Sequence, residues 1–193
     1  MSRKVDSAKR AAILRTAREI FRERSVSDAP VREIARRAGI ATGTFYLYFQ
    51  SKLDVVDALC DYYLAEQIQS IADSIDINDI KRSIANAVHA ALVYASENAD
   101  LVRLIDIRRS HMGRDTRPQG DRDVQKIVRA WLSSFSDKGV IYPYNPRIMA
   151  EIITGMIEWI SKICFVWYDL DPRRYEDTLI ELLQRGLIIN YKE

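Results

Sequence analysis

The sequence predicts an all-α fold, with a small N-terminal unit of three helices, ordered as a helix-turn-helix, ahead of a larger helical body. Three observations predict it. Apolar residues recur along nearly the whole chain at the i, i+3, i+4, i+7 spacing of an amphipathic helix. No segment reads convincingly as a strand, and there is no internal repeat. Turn-forming residues at Pro30, Gly39, Gly139, Pro146 and Pro172 punctuate the periodic segments.

With 193 residues, 48% hydrophobic and 29% charged, the chain can bury a sizeable core as one large domain or two small ones. That composition excludes collagen, low-complexity disorder and a disulfide-held mini-protein. Cys60 and Cys164 are far apart with no CxxC or Cys/His cluster, and residues 1–10 do not resemble a secretory signal, so a reduced, cytoplasmic protein is expected. The apolar stretch 152–167 is interrupted by Glu158 and Lys162, and no membrane span is expected.

The formal charge of +2 hides an asymmetry, because residues 1–52 hold 12 Lys/Arg against 5 Asp/Glu, and residues 53–193 hold 17 against 22. A head of net +7 on a body of net −5 suits a polyanion-binding unit joined to one that does not bind polyanions. A solvated basic helix face would give the same arithmetic.

The first helix is predicted over 7–24, on the stripe Ile13, Ala17, Ile20 and Phe21. Residues 25–30 form a turn, with Asp28 as cap and Pro30 suited to a first helical turn. The second helix carries Val31, Ile34, Ala35 and Ala38. Gly39 supplies a left-handed stop and Ile40 an apolar plug. With Thr42 as cap, the third helix is predicted over 42–49, placing Phe45 and Phe49 on one face and Thr44, Tyr46, Leu47 and Tyr48 elsewhere.

Ser51 opens a fourth helix through Leu53, Val56, Leu59, Cys60, Tyr63 and Leu64 to about residue 74. Further helices are predicted over 78–96, on Ile80, Ile84, Val88 and Leu92, and over 100–109. Residues 108–122 read as a loop. A seventh helix over 121–138 turns Val124, Ile127, Val128, Trp131, Leu132 and Phe135 inward. The eighth, over 147–168, is apolar nearly all round, with a polar strip of Glu151, Glu158 and Lys162, so it should be covered on more than one side. Asp171 and Pro172 cap the ninth, which carries Leu179, Leu182, Leu183, Leu187 and Ile188 to about residue 190.

The second and third helices around Gly39 have the spacing of a helix-turn-helix, in which the later helix enters the DNA major groove. Ala35 is small where the helices approach, and Ile40, Phe45 and Phe49 anchor the unit on the first helix. Residues 10–65, and most sharply the stretch 31–59 with Gly39, Gly43, Thr44, Tyr46, Phe49, Ser51 and Lys52 in register, resemble the DNA-binding domain of the tetracycline-repressor (TetR) family. The resemblance implies a homodimeric repressor with residues 1–52 as the DNA-binding domain. Residues 53–193 would be the ligand-binding and dimerisation domain.

Position by position, the resemblance assigns Arg32 to phosphate or base contact, Thr42, Gly43 and Tyr46 to the groove, and Thr44, Tyr48 and Lys52 to the sugar-phosphate backbone. Ala29 and Pro30 stand where relatives often carry Thr or Ser, so one or two backbone contacts are missing or shifted to Ser27. Position 42 is short where many relatives carry Lys or Gln. Arg36 and Arg37 suit general electrostatic attraction or solvated surface.

In the body, the eighth and ninth helices (about 147–190) are the candidate homodimer interface, given the apolar girth of one and Gly186 on the apolar face of the other. The alternative is that both complete the monomer core. A small-molecule effector pocket is expected among helices four to eight, with Tyr63, Tyr94, Trp131, Phe135, Trp159 and Phe165 as candidate walls. Arg103, Asp106, Glu158 and Lys162 are its candidate charged groups. Each could equally be plain core or an ion pair.

Enzyme chemistry is not expected. His89 has no second ligand at metal spacing, His111 falls in the predicted loop, and there is no Gly-rich phosphate loop or GxSxG motif. No metal or cofactor is expected. The partners expected are operator DNA, a second copy of the chain and an unidentified effector, with no membrane. The competing reading is a TetR-like DNA-binding protein without ligand switching that acts through a protein partner, which a filled body without a pocket would favour.

Overall fold

The computed structural model describes residues 6–76, 78–111 and 119–190, with the side chains of 119–121 also outside the description. Among the described residues the chain forms nine α-helices and one π-helical segment. They are α1 (Ser7–Glu23), α2 (Val31–Arg37), α3 (Thr42–Phe45), α4 (Lys52–Ser74), α5 (Ile80–Glu97), α6 (Ala99–His111), α7 (Gln119–Asp137), α8 (Pro146–Lys162), the π segment (Ile163–Tyr168) and α9 (Arg173–Leu187).

Local chemistry sets most boundaries. Asp6 caps α1 through the Ala8 amide at 3.0 Å. Ser51 caps α4 through the Asp54 amide, while the Asp54 carboxylate accepts the Gln50 amide at 2.8 Å and the Ser51 hydroxyl at 2.7 Å. This reciprocal arrangement is a variant of the capping box, in which the acidic side chain takes the amide of the residue before the cap rather than that of the cap itself. Asp79 caps α5, and Asn145 caps α8 with Pro146 in its first turn. Gly39 has φ +69° and closes α2 with bonds from its own amide to Arg36 O and from Ile40 N to Ala35 O. That pair of bonds is a Schellman motif, which an L side chain at position 39 would strain.

Several local expectations are corrected. Asp28 does not cap α2, because its carboxylate accepts the Ser25 hydroxyl at 2.7 Å, and Pro30 is the cap residue without a side-chain bond. Ala41 rather than Thr42 precedes α3, again without a side-chain cap. The third helix keeps α geometry only over Thr42–Phe45 and continues to Phe49 as tighter turns, with Leu47 N bonding Thr44 O and Tyr48 N bonding Phe45 O.

The predicted loop 108–122 is also shorter than expected. Arg108, Arg109 and His111 form the last turn of α6, where cations complement the helix dipole, and residues from 119 are already in α7. Arg108 is buried and donates to Asp61 of α4 at 2.9 Å, which holds that turn down. The centre of the predicted loop, 112–118, lies outside the described residues.

The eighth helix changes to π geometry at Ile163 and ends at Asp169 in the left-handed conformation, φ 51°. α9 stops at Leu187, and Ile188 forms an isolated antiparallel bridge with Ile141.

Two hydrophobic clusters organise the packing. One joins Ile13, Ala17, Ile20, Ile34, Phe45 and Phe49 of the helix-turn-helix to Val55–Leu64 residues of α4, to Leu101 and Leu104 of α6, and to Cys164 and Phe165. The other lies among α5, α7, α8 and α9, around Ile84, Leu92, Leu132, Phe135, Ile153, Leu183 and Leu187. No described helix is long and apolar enough to cross a membrane.

Candidate DNA-binding face and ligand cavity

The short α3 is held from below by Phe45, with no exposure, and Phe49, whose rings lie 6.0 Å apart. Burial of each such ring contributes about 1.5–3 kcal/mol. The Arg10 guanidinium covers the outer face of Phe49, 5.3 Å from the ring centroid. With these two rings inward, the helical repeat turns Thr42, Gly43, Tyr46 and Leu47 to solvent, and Tyr46 is 53% exposed.

A Cβ built at Gly43 would meet nothing within 4 Å. Packing inside the chain therefore does not require a glycine there, although glycine costs a helix about 1 kcal/mol relative to alanine. Thr44 and Tyr48 are half-buried at the edge of the same face, and Arg32 is exposed on α2. Lys52 donates to the Ser27 carbonyl at 2.7 Å, tying the start of α4 to the turn between α1 and α2.

The basic residues around this face divide into two sets. Arg37 pairs with Glu23 and Glu33, both at 2.7 Å, and Arg24 pairs with Glu33 at 3.1 Å. Those pairs brace α1 against α2 and neutralise the charge locally. Arg32 and Arg36 have no side-chain partner among the described residues, leaving their charge available to a polyanion. Leu47, 64% exposed beside Tyr46, belongs to the face although sequence reasoning gave it no role. Its signal is a large apolar side chain that the Phe45/Phe49 stripe cannot cover.

Behind the head, Arg18 of α1 makes a two-pronged bond to Asp100 of α6, at 2.7 and 3.0 Å, and also donates to Asn98 at 2.8 Å. Arg22 reaches the same carboxylate at 2.9 Å. Burial alone would raise the Asp100 pKa, but the hydrogen bonds from Arg18 and Arg22 prevail and hold it at about 2. This clamp fastens the first helix to the body.

The body holds a half-open cavity of about 690 Å3, bounded by α4 to α9, within the usual size range of small-molecule sites. Of the expected wall residues, Tyr63, Trp131 and Lys162 line it, with Asp106 and Glu158. Tyr94, Arg103, Phe135, Trp159 and Phe165 do not. Tyr94 packs on Tyr63 with centroids 5.2 Å apart, and burial pushes its hydroxyl up to about 12. Arg103 donates to the Phe165 carbonyl at 2.7 Å, Phe165 sits in the head-side cluster, and Phe135 is core beside Trp131. Trp159 is 55% exposed, edge-on to Trp167.

Helical phase explains the difference. On α6 the wall is Val102, Ile105, Asp106 and Arg109, a stripe that skips position 103, and on α8 it includes Glu151, Thr154, Gly155, Glu158 and Lys162, a stripe that skips 159. The polar strip of α8 therefore faces the cavity. Sequence reasoning also missed Gln67, whose signal is a carboxamide one turn after Tyr63 on an apolar helix.

The fold and its two sites define a helical DNA-binding regulator with a ligand-sized chamber behind the reading head. Residues 13–59 match the family model for bacterial regulatory proteins of the tetR family. The chain is 37% identical over 192 residues to the uncharacterised HTH-type transcriptional regulator YvdT of Bacillus subtilis, covering 95% of this chain and 97% of that protein. It is 39% identical over 168 residues to the HTH-type transcriptional repressor BepR of Brucella suis, covering 78% and 80% of the two chains.

In fold it is similar to SmeT, the repressor of a multidrug efflux pump of Stenotrophomonas maltophilia, solved in complex with triclosan. The TM-score to that complex is 0.72 at 21% identity, over 95% of this chain and 93% of that one. The chain belongs to the TetR family of transcriptional regulators. It is a DNA-binding regulator and not an enzyme.

Proposed function

We propose that the protein is a ligand-responsive repressor, released from a palindromic operator when a small molecule occupies the cavity. Residues 1–52 read DNA in the cytoplasm, and residues 53–193 bind the effector and dimerise. Arg32, Thr42, Gly43, Thr44, Tyr46, Tyr48 and Lys52 contact the operator. The effector contacts Tyr63, Trp131 and Lys162.

The observation that carries this reading is a shared wall. Tyr63 and Leu64 of α4 and Val102 of α6 belong both to the head-side core and to the cavity lining. A ligand that prefers one position of α4 thereby acts on the packing that seats the helix-turn-helix, and lowers operator affinity by its differential binding to the two states. A regulator working through a protein partner alone would have no need of the cavity, so the chamber favours the ligand reading.

The dimer is proposed through α8 and α9. Ile148, Ile152, Gly155 and Trp159 form an exposed i, i+4, i+7, i+11 stripe on α8, and Leu182 and Gly186 lie exposed one turn apart on α9. Neither Gly155 nor Gly186 has anything within 4 Å of an added Cβ, as expected where a second copy approaches closely. Four such helices about a two-fold axis would fix the separation of the two heads, and successive major grooves require about 34–36 Å.

Selection of bound fragments from random DNA, with the molecular mass of the complex measured, tests the reading. A palindromic consensus bound by one or two dimers is the expected result. Salt-sensitive binding without a consensus would overturn it.

A further inference from the structure

We infer that the effector is a neutral, largely apolar molecule carrying one hydroxyl- or amide-type group, held by the Tyr63 hydroxyl and the Gln67 carboxamide on α4. The inference rests on the reading of the cavity as the effector site, and it names the chemistry of that effector.

The cavity wall is mainly aliphatic, with Ile71, Ile84, Val88, Ile105, Val128 and Leu183 on five helices. Every charged side chain on it is already opposed by another: Asp106 pairs with Lys162, Glu158 with Arg109, and Glu151 with Arg147. A charged ligand would have to break one of these pairs or enter without a counter-ion. Both cost more than an uncharged group does.

The wall hydroxyls of Thr154 and Ser161 are committed to their own helix, donating to Ala150 O at 2.8 Å and Ile157 O at 2.9 Å. Tyr63 and Gln67 differ. The two protons of the Gln67 amide go to Tyr63 Oη at 3.2 Å and to Ala91 O at 3.3 Å. That leaves the Tyr63 hydroxyl proton and the Gln67 carbonyl oxygen without partners among the described residues. Tyr63 is only 2% exposed, and a buried hydroxyl without an acceptor for its proton is costly.

Burial pushes the phenol well above its ordinary pKa, so it remains a donor at any working pH. One donor and one acceptor, side by side on a single helical turn of an apolar wall, complement a group that both accepts and donates. An alcohol or a primary or secondary amide meets this requirement; a quaternary ammonium or a carboxylate does not. Because Tyr63 also packs in the head-side core, this contact would place the ligand's polar group on the residue that joins cavity to head.

The test is isothermal titration calorimetry of the full chain with three decyl probes of equal chain length: 1-decanol, decanoate and decyltrimethylammonium. Decanol is expected to bind at least about tenfold more tightly than either ion. Tyr63→Phe should weaken decanol binding about 2- to 10-fold, the loss of one hydrogen bond, and leave decanoate binding unchanged.

Gln67→Leu serves as a second variant, with the same expectation, should Tyr63→Phe not fold by circular dichroism. Equal or tighter binding of either ion, or decanol binding indifferent to the folded variant, overturns the inference and leaves the effector reading intact. Failure of all three probes to bind overturns both.

Discussion

Tyr46 stands half exposed on a one-turn helix whose opposite side is fixed by two buried phenylalanines, so its position is set by groups that never meet solvent. Its ring lies edge-on to Phe45, centroids 5.4 Å apart, and this contact orients it before any DNA arrives. Tyr46→Ala removes an outward side chain without opening the core. Specific operator affinity should fall by about 1–3 kcal/mol, while affinity for random DNA and its salt slope stay near wild type. A gel-shift titration on the selected operator checks this, and unchanged specific binding would end the assignment of Tyr46 to the groove.

Groups close together in sequence are legible from it, and groups brought together by packing are not. The Phe45/Phe49 spacing and Gly39 reveal the head because they are local, one turn apart. The cavity walls come from six helices and depend on the rotational phase of each, which moves about 100° per residue. Arg103 and Asp106 therefore look equivalent in sequence, yet only Asp106 lines the chamber.

At the scale of elements, α1 is fastened to the body by few polar groups, and Asp100 is the one on which they converge. The carboxylate side chain is 16% exposed and receives two arginines. Its pKa of about 2, against an ordinary 3.8, has a definite consequence for acid stability. The folded state holds the charged form more tightly than the unfolded chain does, so the stabilisation is complete above the ordinary value and is lost as pH falls through about 2. The difference corresponds to about 2 kcal/mol.

Asp100→Asn should therefore lower stability at pH 7 and flatten the pH dependence of unfolding between about pH 4 and 2, both read from urea titrations. A variant with the wild-type acid slope would show that the clamp contributes nothing. The helix ends are legible where the capping side chain is in sequence register, as at Ser51. They are not legible where a competing local bond wins, as at Asp28, which the Ser25 hydroxyl engages first. The change of α8 to π geometry at Ile163 left no sequence signal at all, since the apolar run 152–167 suits either helix.

For the whole molecule, reading a palindrome requires two heads at one fixed separation, and that separation must be set by surfaces far from the DNA. The exposed stripe of α8 and the exposed Leu182 and Gly186 of α9 are apolar surfaces without cover in the single chain. Leu182 is 57% exposed, so Leu182→Glu should leave the monomer folded, with unchanged helical circular dichroism. In a two-fold interface each substitution occurs twice, and burying two unpaired carboxylates opposes association strongly. Sedimentation should show a monomer at micromolar concentration where the wild type is expected to be a dimer. Operator affinity should fall about 10²- to 10⁴-fold, because the second half-site contact is no longer intramolecular, while binding to an isolated half-site keeps its wild-type monomer value. A variant that remains dimeric would move the interface away from α9. Retained full operator affinity by a monomer would mean that one head suffices, and the two-headed repressor reading would fail with it.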